Sequence, residues 1–164
     1  MTRSPTEWMI LPLRRYAQFT GRARRAEYWW FILFGVIVSV VASIVDALLG
    51  AKTVGVGTIV SLGLLIPQLA VGVRRLHDIG RSGWWLGGAM LLGIAFGIAF
   101  AVSVGAALVG VRTGNVAAGI GAGTALLGII GLAILVYAVV LLVWACQPGT
   151  AGPNRFGPDP LDID

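Results

Sequence analysis

Four long apolar runs, at 29–49, 54–73, 84–109 and 120–145, leave this chain few ways to fold. A helix rises about 1.5 Å per residue, so about 20 apolar residues cross the hydrocarbon of a bilayer. Each run meets that length. Composition closes off a water-soluble alternative: 57% of the residues are hydrophobic and only 12% charged. An ordinary soluble domain carries about 25% charged residues. Mean hydropathy is +0.89, so lipid must cover most of the surface. The sequence predicts an all-α membrane protein with four transmembrane helices arranged as two hairpins. A short N-terminal interfacial helix precedes them and a Pro/Gly-rich cytoplasmic tail follows. All of 1–164 reads as a single membrane domain. Its parts are 1–28 (cytoplasmic or interfacial), the four transmembrane runs, and the tail 146–164. The glycine-rich stretch 112–123 reads either as an outer loop or as a continuation of the helices beside it.

Arginine placement orients the spans. Arg14, Arg15, Arg22, Arg24 and Arg25 precede the first run, Arg74, Arg75 and Arg81 separate the second from the third, and Arg155 follows the fourth. The other side carries only Lys52 and Arg112. The positive-inside rule therefore puts both termini and the central loop in the cytoplasm. Trp29, Trp30, Trp84, Trp85 and Trp144 fall at that same interface, as an aromatic belt does.

Local signals add detail. Ser4-Pro5-Thr6-Glu7 has the form of a capping box with proline at the first helical position. Pro12 then interrupts, and 13–19, with Arg14 and Arg15 beside Tyr16 and Phe19, reads as a short helix in the headgroup layer. In the second run, Pro67 cannot donate to the carbonyl of Gly63 and kinks the helix. The freed carbonyl, with Ser61 and Gln68, would line a small polar cavity. Asp46 falls near the outer interface, where water can reach it. Gly35, Ser39 and Ser43 in span one, and Gly93, Gly97, Ala101 and Gly105 in span three, repeat every four residues. Each set makes a groove for close helix packing.

Charge is concentrated in two polar segments. In 21–30, Thr20 is a candidate cap, Glu27 is the one acid, and Arg25 lies four residues from Trp29, the spacing of a cation–π contact. In 74–81, Asp78 is the one acid among Arg74, Arg75 and Arg81, next to the chain's only histidine, His77. Ion pairs between the segments would fasten span one to the central loop. Asn154 and Arg155, set between turn residues, predict a tail wrapped in order against the cytoplasmic face. The candidate binding cluster is therefore Arg22, Arg24, Arg25, Glu27, Arg74, Arg75, His77, Asp78, Arg81, Asn154 and Arg155.

Three of these motifs resemble the family called domain of unknown function 805 (DUF805). They are Gly-Arg-Ala-Arg-Arg-Ala-Glu-Tyr-Trp at 21–29, Arg-Arg-Leu-His-Asp with Gly-Arg-Ser-Gly-Trp-Trp over 74–85, and the tail from Cys146 to Pro160. The resemblance implies a small bacterial inner-membrane protein of several helices. It implies no established activity, substrate or catalytic residue. The long glycine-rich outer hairpin departs from the family pattern.

Three kinds of function remain on these residues. The first is binding or scaffolding: the arginines outnumber Glu27, Asp78 and Asp159, and the surplus would receive anionic lipid headgroups or another phosphate. A plain topology signal with internal salt bridges accounts for the same arginines equally well. The second is a small transporter or channel subunit using the kinked span two. The third is a membrane-surface enzyme using His77 and Asp78. Against the last, no serine nucleophile, second histidine or acidic metal pair accompanies them, and no catalytic residue is assigned. One cysteine, Cys146, and one histidine predict no structural metal site and no cofactor. The expected partners are the lipid bilayer, a second copy of the chain or another membrane protein, and no nucleic acid.

Overall fold

A computed structural model of the chain describes residues 3–50, 54–114 and 116–163. Among the described residues the secondary structure is helical, with no strand. The helices are α1 (Pro5–Arg14), α2 (Arg25–Leu49), α3 (Val56–Asp78), α4 (Trp84–Thr113), α5 (Val116–Cys146) and the single turn α6 (Pro160–Ile163). Four of them, α2 to α5, are long and apolar enough to cross a membrane. Lys52 lies outside the described residues. The chain divides into two compact units, Met1–Gly83 with Ala145–Asp164, and Trp84–Trp144.

In the first unit α2 packs on α3, and α1 packs on both. The capping box of α1 forms in full. Glu7 donates its backbone N–H to Ser4 Oγ at 3.3 Å, and Ser4 donates its own to Glu7 Oε2 at 2.7 Å. The helix differs from the sequence reading at its far end. It runs through Pro12 and stops at Arg14, so 13–19 forms no helix of its own. Trp8 and Pro12 explain why: four residues apart, they share the face that α1 buries. That burial outweighs the one backbone hydrogen bond the proline forfeits. At the heart of the unit Ala23, Phe31 and Val71 are buried, with Leu13, Tyr28, Phe34 and Leu64 packed around them. Helix α2 also begins later than Thr20 would cap it, at Arg25, because 20–24 is used as an extended strap described below.

Two helix defects are repaired by distant side chains. Pro67 leaves the Gly63 carbonyl without its helical donor, and the Tyr16 hydroxyl supplies one at 2.6 Å. The freed carbonyl is therefore occupied, while Ser61 and Gln68 do line a cavity of about 300 Å³ together with Gly35 and Ser39; the Ser61 hydroxyl donates to Gly57 O at 2.7 Å. Tyr16→Phe is expected to cost about 1 kcal/mol. In a Pro67→Ala background, where residue 67 regains an N–H for Gly63, that cost is expected to vanish. Thermal unfolding of the four proteins in detergent measures the coupling; equal costs in both backgrounds would refute the pairing. At the other end of α3, Asp46 accepts from the backbone N–H of Val56 at 2.6 Å and of Gly57 at 2.9 Å. It thus caps the helix that follows it instead of merely facing water.

In the second unit α4 and α5 are apolar all round, the pattern of helices surrounded by lipid. Leu91, Ile94, Ile129 and Leu132 all stand outward. Their backbones stay helical through most of the glycine-rich stretch, α4 to Thr113 and α5 from Val116. Of the two readings of 112–123 this is the helical one. In hydrocarbon every backbone N–H and C=O must be satisfied internally, which outweighs the poor helix propensity of glycine. The start of α4 meets the end of α5: Tyr137 donates its hydroxyl to Trp85 O at 2.7 Å, and Trp85 meets Trp144 edge to face. The expected groove of Gly93, Gly97 and Gly105 is not filled within the unit, since a Cβ at any of them would find nothing within 4 Å.

Candidate functional site at the end of α3

A helix ends with four carbonyls that have no partner along its own axis. At the end of α3 distant segments supply several of the donors. Ala23 N–H donates to Arg74 O at 3.0 Å, Thr150 N–H to Asp78 O at 2.9 Å, and Asn154 Nδ2 to His77 O at 2.9 Å. The turn after the helix adds Arg81 N–H to Leu76 O at 2.9 Å. The strap 20–24 and the tail 146–160 thus both dock on one helix terminus.

Three buried charges hold this junction. Asp78 receives Arg22 Nε at 3.0 Å on one carboxylate oxygen and Arg75 Nη1 at 2.5 Å on the other. Both guanidinium groups then use their remaining N–H groups on carbonyls of the tail and of the last turn of α5. Arg22 donates to Gly152 O at 2.6 Å and Thr150 O at 2.5 Å. Arg75 donates to Ala145 O at 3.1 Å and to Gln147 O. Arg22, Arg75 and Asp78 are all buried. A buried charge must be both paired and hydrogen-bonded, and here the peptide carbonyls complete what a lone carboxylate cannot. The tail passes so close that a Cβ on residue 149 would lie 2.3 Å from Asp78 Oδ2, so glycine is required there.

The rest of the tail is fixed in the same manner. The His77 ring lies parallel to that of Phe156, centroids 3.9 Å apart, and its Nδ1–H donates to Gly21 O at 3.1 Å. Arg155 sits over the Phe156 ring and donates to Gly80 O at 3.1 Å. Asn154 Oδ1 receives Phe156 N–H at 2.9 Å, and Asn154 pairs backbone to backbone with Gly157. Asp159 receives the N–H groups of Leu161 and Gly152, both at 2.9 Å. Those bonds, Leu161 foremost, with Arg22 and Arg24 nearby, hold its carboxyl below the usual aspartate range. Its contribution to tail order is therefore present above the ordinary value of 3.8 and lost as pH falls through the depressed one. Arg24 grips Pro160 O with Nε at 3.0 Å and Nη2 at 2.5 Å.

A second ion pair stands beside the first. Arg74 Nη1 donates to Glu27 Oε1 at 2.5 Å, and Arg15 Nη1 lies 3.8 Å from Glu27 Oε2. Of the eleven residues singled out in the sequence, Arg22, Arg75, His77, Asp78, Asn154 and Arg155 meet at the tail junction. Glu27 and Arg74 form the adjacent pair. Arg24 reaches the tail's last turn, and Arg25 is exposed with Nη1 3.5 Å from Cys146 O, so it does not stack on Trp29 as its spacing suggested. Cation–π contacts fall elsewhere: Arg3 and Arg24 lie over Trp8, at 5.2 Å and 5.8 Å from the ring centre. Arg81 is exposed. Thr150, Gly152, Asp159 and Arg15 belong to the site and were not singled out. For Asp159 the signal was an acid one turn from the conspicuous Asn-Arg-Phe; the carbonyl acceptors leave no signal in side-chain identity. His77 and Asp78 engage different partners, a ring stack for one and two arginines for the other, so they do not form an acid–base pair.

The family model described as "Protein of unknown function (DUF805)" matches residues 16–158. The inner membrane protein YhaH of Escherichia coli (strain K12) is 35% identical over 158 residues, covering 94% of this chain and 96% of the relative. The inner membrane protein YhaI of the same strain is 32% identical over 154 residues, covering 94% of this chain and 95% of the relative. No solved structure matches.

Proposed function

From the premise that this chain belongs to the DUF805 family and is a polytopic inner-membrane protein, we propose that it is a binding or scaffolding protein whose arginine-rich face looks into the cytoplasm. Both termini lie on that side, and the face receives anionic lipid headgroups or phosphate. The carrying observation is a division of labour among the arginines. Arg22 and Arg75 are buried and spent on Asp78 and the tail, which makes the face rigid. Arg14, Arg25, Arg81 and Arg155 are exposed around it. A basic residue beside an anionic leaflet is favourable by about 1 kcal/mol, or roughly fivefold in local lipid enrichment.

The test is quenching of tryptophan fluorescence by brominated lipid in reconstituted bilayers. Trp29, Trp84 and Trp85 are exposed. Brominated anionic lipid is expected to quench the parent more than its zwitterionic counterpart does. A protein with Arg25, Arg81 and Arg155 changed to glutamine is expected to lose that difference. Equal quenching of the parent by both lipids would remove the reading.

A further inference from the structure

Arg74 is the anomaly of the site. Its side chain is 1% exposed, yet only Nη1 has a partner, on Glu27. Nε and Nη2 are buried with none. Leaving a charged donor buried and unsatisfied costs more than the lost bond alone, so native proteins seldom do it without a reason. These two atoms form the side-on edge of the guanidinium fork, the edge that grips an oxyanion through two parallel hydrogen bonds. Arg74 also lines a cavity of about 180 Å³ together with Arg3, Arg15, Arg22, Arg24 and Glu27.

We propose that this cavity is a binding site for a single phosphoryl group, gripped by the Nε/Nη2 edge of Arg74. The proposal rests on the reading above and names the site within it. Charge favours phosphate over a carboxylate. Of the lining arginines, Arg15 and Arg74 share one acid, Glu27, and Arg22 shares Asp78 with Arg75 behind the wall, so each pair of guanidinium groups meets a single carboxylate. A doubly charged anion restores the balance. Size agrees: one water occupies about 30 Å³ of liquid, whereas a site for a whole drug-sized ligand begins near 300 Å³. The cavity holds a tetrahedral oxyanion and a few waters. The phosphoryl group belongs either to free phosphate or to a lipid phosphomonoester whose tail stays in the bilayer.

Calorimetric titration of the full chain in neutral detergent tests this, with inorganic phosphate in one arm and short-chain phosphatidic acid in the other. Binding is expected in at least one arm, and the arm that responds names the source. Arg74→Lys keeps the charge and removes the fork. It is expected to weaken binding at least tenfold while the thermal midpoint and the protease resistance of the tail persist. Arg15→Gln, at the more open wall, is expected to weaken binding severalfold and guards against misfolding of the first variant. Silence in both arms, or unchanged affinity in both variants, overturns the site. Neither result touches the lipid preference of Arg25, Arg81 and Arg155, so the two readings fail separately.

Discussion

Asp78→Asn is expected to release the C-terminal tail from the end of α3. The carboxylate neutralises Arg22 and Arg75 at once, and both are buried. Removing one member of a buried ion pair costs about 3–5 kcal/mol, because the charge left behind is uncompensated. The amide also turns an N–H₂ group towards one of the two guanidinium groups. At 1.4 kcal/mol per tenfold, the population with an undocked tail should rise at least a hundredfold. Limited proteolysis followed by intact-mass measurement reads this directly, as faster cleavage within 147–158. Asp78→Ala should behave alike, and Asp78→Glu should retain part of the protection. A tail as resistant as the parent's in Asp78→Asn would mean that the junction is held by its backbone bonds alone.

Gly55→Ala should be nearly as damaging, although the change is one methyl group. Gly55 has φ −107° and ψ −177°, a backbone that alanine adopts without strain. The trouble is Asp46: a Cβ on residue 55 would stand 2.3 Å from its Cγ. The carboxylate must swing away from Val56 and Gly57, and α3 loses two charge-assisted bonds at its positive end. Such bonds contribute about 1.5–3 kcal/mol each, so a loss of about 3 kcal/mol is expected. Asp46→Ala should cost a similar amount, and Gly55→Ala added to it should cost little more, since the methyl then has room. Thermal unfolding of the four proteins, with amide exchange at residues 56 and 57, checks the cycle. Additive losses would show that the glycine serves some other end.

Much of the architecture was legible because hydropathy is a one-dimensional quantity. The runs beginning at Trp29, Val54, Trp84 and Ile120 need no knowledge of what they pack against, and four long helices follow from them. The acids were legible too: Glu27 and Asp78 are each alone among arginines, and each became the hub of an ion pair. What sequence left hidden was the use of backbone as a partner. Arg22, Arg24, Arg75 and Arg155 all donate to peptide carbonyls, and a carbonyl is the same at every position. Tyr16 finds Gly63 forty-seven residues away for the same reason: proline announces the vacancy, but nothing announces who fills it. The capping role of Asp46 is hidden because its donors, the N–H groups of Val56 and Gly57, lie across a loop, where hydropathy alone suggests only exposure. Pro12 reads as a break because local propensity speaks against it, and burial beside Trp8 prevails.

The arginine clamp also sets an order of events during synthesis. Arg22 leaves the ribosome early, whereas two of the carbonyls it needs, on Thr150 and Gly152, come 128 and 130 residues later. Until they arrive, the Nη1 and Nη2 groups of Arg22 must stay wet, and the strap 20–24 is held only by its own bonds to α3. A nascent chain interrupted before residue 152 would leave Arg22 short of those carbonyls however well its helices had inserted. Closure of the clamp thus reports that translation has run through the tail, and quality-control proteases that seize loose segments would meet an unfinished copy with its latch undone.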